Sequence, residues 1–111
     1  MHNIKDMINH NYCIVTDINT YKNEFDGVYA TDLLSTAIKH VKHKEALITI
    51  IATHATISLS IMLDIEVVII SSGLEIDQKV IDKANENKIA LIKTNLLTHE
   101  VIIDLYQRGF I

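Results

Sequence analysis

The four residues THAT, 53–56, put two hydroxyls and an imidazole together directly after an apolar run, which makes them the first place to look for chemistry. A following helix would present unpaired amides there, and hydroxyls can supplement those amides around an anion. Three other stretches have the same character: ATD at 30–32, SSG at 71–73 and TNLLT at 94–98. Together they nominate Asp32, Thr53, His54, Ser72, Gly73 and Thr94 as candidate ligand-binding residues, suited to a small anionic metabolite or a nucleotide. Ser, Thr, Asp and Asn are also the residues that cap helices, so helix capping alone accounts for the same pattern.

His54 stands at the head of an apolar helix, where the positive end of the helix dipole disfavours an imidazolium, so a neutral ring is expected. Such a ring serves either as a ligand contact or as a structural group bonded to neighbouring backbone. It has no visible catalytic partner, since neither a nucleophile elbow, a Cys/His pairing nor a paired-carboxylate signature accompanies it. No catalytic residue is therefore assigned. A small enzyme using His54 as general acid and base stays open as an alternative.

Elsewhere the chemistry is thinner. In KHVKHKE, His40 and His43 stand three apart, a spacing that would place both on one side of a helix. The surrounding lysines repel a cation and there is no third ligand, so a solvated helix end is expected and no metal. Neither GxxxxGK[ST] nor GxGxxG occurs, which removes the phosphate cradles of kinases and dehydrogenases and leaves no cofactor implied. Cys13 is the only cysteine, which excludes an internal disulfide and fits a reducing compartment. The net charge of −4 and scattered basic residues argue against nucleic acid as a partner.

The elements that must position these residues begin with a question about the membrane. Residues 46–63 carry no Asp, Glu, Lys or Arg over 18 positions, close to the roughly 20 that a bilayer core requires. Threonines and a histidine fall at the centre of the run, its period changes midway, and no basic flank or aromatic belt marks an end. ALITII suits a strand buried on both faces, whereas ATISLSIML has helical spacing, so no membrane span is expected. The N-terminus lacks the layout of a signal peptide, and the cytoplasm is the simplest location.

A short helix is expected over 4–9, then the strand YCIV, a polar connection, and the strand GVYAT leading into the helix DLLSTAIKHVKHK. There Asp32 is the natural N-cap, Leu34, Ile38 and Val41 share a face, and Lys39, Lys42 and Lys44 complement the far end of the dipole. Three strand–helix pairs follow: ALITII with ATISLSIML, EVVIIS with DQKVIDKANENK, and IALIK with LLTHEVIIDLYQR. Asp77 is placed to cap the middle one, with Ile76 and Ile81 at the spacing of a hydrophobic staple. Strict alternation with all-apolar strands predicts an α/β fold: a single three-layer domain over 1–111, with a mostly parallel sheet of four to five strands flanked by helices on both faces. In such a sheet the candidate loops gather at the carboxyl ends of the strands.

GVYATDLLS, ITIIATHATISLSIMLDIEVVIISSG and IALIKTNLLTHEVIIDLY, in this order and spacing, resemble the DRTGG-domain family, itself similar to the N-terminal domain of HPr kinase/phosphorylase. The likeness spans about residues 25–107, with TDLLS and the T-x-H after an apolar strand its informative pieces, although the letters D-R-T-G-G are absent. It implies a regulatory and association module without the P-loop domain of the kinase. The expected function is thus a non-enzymatic regulatory domain that forms a homodimer and senses a small anionic metabolite or nucleotide. The uncommonly apolar stretch in a small chain, with Leu59 and Met62 as candidates for exposure, also points to self-association. A pure protein–protein interaction module with no ligand is the alternative.

Overall fold

Three strands are buried along almost their whole length, as their largely apolar sequence demands: β5 (Ala46–Thr49), β6 (Val67–Ile70) and β7 (Ala90–Thr94). The computed structural model describes residues 1–111. β4 (Val28–Ala30), β5, β6 and β7 are parallel neighbours in sequence order, and β2 (Tyr12–Ile14) lies antiparallel against β7 as the far edge. The sheet therefore reads β2-β7-β6-β5-β4.

Side chains alternate across the pleat and supply two separate cores. Ile48, Ile69 and Ile92, paired across three adjacent strands, point to one face, where they meet helix α1 (Ile4–Met7) and helix α5 (Thr98–Gln107) through Met7, Val101 and Leu105. Leu47, Val68 and Leu91 point to the other, under α2 (Leu34–His40), α3 (His54–Met62) and α4 (Gln78–Glu86). Each of these three helices links two adjacent parallel strands, and the strand order advances steadily in one direction, so all three crossovers fall on the same side. The result is a three-layer α/β domain.

The polar connection between β2 and β4 is ordered. It holds a 3-10 turn at Ile18–Thr20 and the two-residue strand β3 (Glu24–Phe25), which pairs antiparallel with β1 (His2–Asn3). Phe25 is fully buried and stacks at 6.1 Å on Phe110, anchoring this ribbon to the α1/α5 core.

Local sequence signals hold in α4. The Asp77 side chain accepts the Lys79 amide at 2.8 Å, Val80 and Ala84 are buried, and Ile76 and Ile81 both pack against the same core. The expected course of α2 needs correction. The helix stops at His40, so Lys42 and Lys44 lie beyond its last turn, and Lys44 instead takes a positive φ and pairs with Glu66. Its buried residue is Ala37, with Leu34 and Val41 half-buried, while Ile38 is 55% exposed. In α3, Leu59 is buried and only Met62 of the expected pair faces solvent, at 62%. No helix is long and apolar enough to cross a membrane.

Candidate functional site

Parallel pairing brings Ala30, Thr49, Ile70 and Thr94 to one edge of the sheet, and the four loops that follow these strands share it. β2 runs the opposite way, and its first residue, Tyr12, pairs with Thr94. The antiparallel edge strand therefore delivers His10, Asn11 and Cys13 to the same region as Thr94. Nothing in the local sequence signals that arrival, because it depends on which strand β2 chooses as its neighbour.

Asp32 is not a helix cap. Its Oδ1 accepts a hydrogen bond from the Thr49 hydroxyl at 3.2 Å and another from the Ile50 amide at 3.0 Å, joining the β4 loop to the end of β5. The helix starts two residues later, with Leu33 at the N-cap position and no side-chain cap bond. Thr31 takes over locally by accepting the Leu33 amide at 3.0 Å. The cross-sheet loop amide competes successfully for the carboxylate because the fold holds it within reach.

Thr53 occupies the N-cap position of α3 without using its side chain, and both Thr53 and His54 are exposed. The His54 imidazole makes no hydrogen bond; the His54 carbonyl accepts one from Lys83 Nζ at 3.4 Å. The imidazole is thus neither a buried structural group nor part of a hydrogen-bonded constellation. Thr56, the second hydroxyl of the THAT stretch, is buried and donates to the Ile51 carbonyl, closing the turn into α3.

Ser72 and Gly73 both adopt positive φ, +71° and +68°. Their amides bond the Leu96 carbonyl at 2.8 Å and the Thr94 carbonyl at 2.9 Å, and the Thr94 hydroxyl accepts the Leu96 amide at 3.2 Å. A Cβ at Gly73 would meet Asn95 Oδ1 at 2.9 Å, the end of a side chain that can turn aside, so the positive φ is the stronger reason for glycine here. Beneath them, buried Ser71 shares a 2.7 Å hydroxyl bond with Thr98. The amides of Ser72, Gly73 and Leu96 are thus already spent on loop carbonyls and a hydroxyl.

The six candidates share an edge without sharing a cavity. Of them only Thr94 lines a recess, an open cleft of about 340 Å³ that also involves His10, Asn11, Cys13, Lys93 and Asn95. Its one lysine, Lys93, is paired with Glu75 at 3.0 Å, which offsets its charge. No three His, Cys, Asp or Glu side chains are grouped to hold a metal ion, and His43 lies outside the helix that was expected to align it with His40.

A different recess is apolar. It measures about 430 Å³, lies between α2 and α3, and is lined by Leu34, Ile38, Ala55, Leu59 and Met62, with two serines the only polar contributors.

One polar network at the β2 edge was not anticipated. The Tyr12 hydroxyl donates to Asp104 Oδ2 at 2.7 Å, and Arg108 reaches the same oxygen at 3.1 Å while also donating to the Met7 carbonyl at 2.8 Å. The i,i+4 spacing of Asp104 and Arg108 was its only trace in the sequence. Burial, and then the bond to Asp104 and its charge, raise the Tyr12 pKa well above the ordinary phenol value. A raised folded-state pKa contributes stability that is complete below about pH 10 and is lost as pH rises toward the folded value. The Tyr12 phenolate should therefore appear only together with alkaline unfolding, and Tyr12→Phe should remove that absorbance step. Full ionisation of all four tyrosines while circular dichroism still reports the native fold would contradict this.

No protein-family model matches the chain, and no curated protein compared with it is similar.

Proposed function

We propose that this chain is a non-catalytic regulatory domain of the association type, similar to DRTGG domains, whose working partner is a second copy of itself. The observation that carries this is the apolar groove between α2 and α3, whose lining includes the exposed side chains of Ile38 and Met62. Large apolar side chains gathered in one region cost free energy in water, which covering them recovers at about 25 cal/mol per Å².

Ligand sensing at the strand ends has weaker support. Gly73 bonds Thr94, Ser72 and Thr94 both bond Leu96, Asp32 holds Thr49 and Ile50, and His54 lines no recess. These contacts favour loop closure as the work of these polar residues.

Light scattering on the purified chain is expected to give twice its 12.6 kDa mass. Ile38→Glu and Met62→Glu should each shift it to the monomer with an unchanged far-ultraviolet spectrum. Both positions are already exposed, so the fold has no reason to reject the change. A wild-type chain that stays at 12.6 kDa at the highest attainable concentration would overturn the proposal.

A further inference from the structure

We infer that two copies meet across the α2–α3 groove with α2 antiparallel to α2 of the second copy, so that Asp32 of each faces Lys39 and Lys42 of the other. This rests on the self-association proposed above and adds its geometry. Within one copy, α2 and α3 both start at the carboxyl edge of the sheet and run toward the amino edge, because each follows a parallel strand. A twofold axis across the helices lays each on its own counterpart in reverse. An axis along them would lay α2 on α3 with the two running in the same direction, setting like ends of the helix dipoles side by side.

The charges along this layer fit the antiparallel arrangement. Asp32 lies at the start of the α2 segment, residues 33–38 carry no charge, and Lys39 and Lys42 lie at its end, all three of them exposed. Reversal of a strip that is acidic at one end and basic at the other pairs unlike charges at both ends. α3 has the opposite polarity, with Lys83 of α4 bonded to Ser58 and to the His54 carbonyl near its start and exposed Asp64 just past its end, so its reversal also sets unlike charges together at both ends. Small residues, Ser35, Ala55 and Ser58, line the centre of the groove and leave room for Ile38 of the second copy. Both hydrogen bonds at Asp32 fall on Oδ1, so Oδ2 has none within the chain and can face the lysines.

The test is a double-mutant cycle on the dimer dissociation constant, measured by sedimentation on the intact chain. Asp32→Asn retains an Oδ1 acceptor for Thr49 and Ile50, so the loop is preserved while the charge is lost. In the wild-type background it should weaken the dimer by about three- to tenfold, since each ion pair occurs twice by symmetry. Lys39→Glu with Lys42→Glu should weaken the dimer further, and in that background Asp32→Asn should tighten it, because it now removes a repulsion. This reversal of sign supports the register. Equal effects of Asp32→Asn in both backgrounds overturn it. If Met62→Glu still dissociates the dimer in that case, self-association through the groove survives and only the register falls. A monomeric wild type overturns both.

Discussion

Ile69→Ala is expected to lower the free energy of unfolding by about 2–5 kcal/mol, the range found when a buried isoleucine is truncated and its site cannot collapse. Ile69 sits in β6, with Ile48 beside it on β5 and Ile92 on β7, and all three are fully buried. Hydrogen-bonded strands hold the backbone on both sides, and Val101 and Leu105 belong to the same core, so little can move into the space left behind. A domain has a total stability of only about 5–15 kcal/mol, so this one change removes a large share. For a chain of this size each kcal/mol lowers the melting temperature by about 4–8 °C. Ile103→Ala is the control, since Ile103 is 51% exposed and its truncation should stay within about 0.5 kcal/mol. Urea titrations that cannot separate the two variants would remove β6 from the centre of the fold.

Asn23→Ala should cost about 2 kcal/mol, more than an ordinary hydrogen bond contributes, because it removes two hydrogen bonds at once and only the Glu66 carbonyl keeps another donor, the Ala90 amide. Asn23 is 5% exposed, and its Nδ2 donates to the Glu66 carbonyl at 3.0 Å and to the Lys88 carbonyl at 2.7 Å, just before β6 and β7 begin. Its backbone carbonyl accepts the Ile4 amide at 3.2 Å. One side chain thus pins the polar connection to the amino ends of two central strands. Hydrogen exchange should quicken at Ile4 and over residues 16–26 before it quickens in β6, because the connection loses its anchor while the sheet retains its ladder. Asn19 has an exposed side chain with no hydrogen bond in the fold, so Asn19→Ala should be nearly silent. Equal stabilities for the two alanine variants would show that the Asn23 bonds contribute nothing.

Local sequence was enough to place the strands and helices of the second half, because there one residue pattern has one solution. All-apolar tetrads such as VVII have no polar face to show to water, so they become inner strands of a covered sheet. Asp77 caps its own helix because the amide it needs is two residues away. Gly73 could be marked as a loop residue, yet its positive φ is set by amide bonds to a different loop, from Gly73 to the Thr94 carbonyl and from Ser72 to the Leu96 carbonyl.

What the chain could not settle locally depends on neighbours distant in sequence. α3 is apolar or small along its length, so it carries no stripe to say that Leu59 turns inward and Met62 outward. Asp32 had a helix amide nearby and the Ile50 amide across the sheet, and packing decided between them. The antiparallel seat of β2 beside β7, which brings His10 and Cys13 to Thr94, follows from burying Tyr12 and Ile14 against the α1/α5 core. Alternation of apolar strands with helical segments determined the layers of this protein. Which polar residues meet and which apolar ones stay in water was decided only when those layers closed, because a hydrogen bond or a buried contact requires a partner whose position the local sequence does not specify.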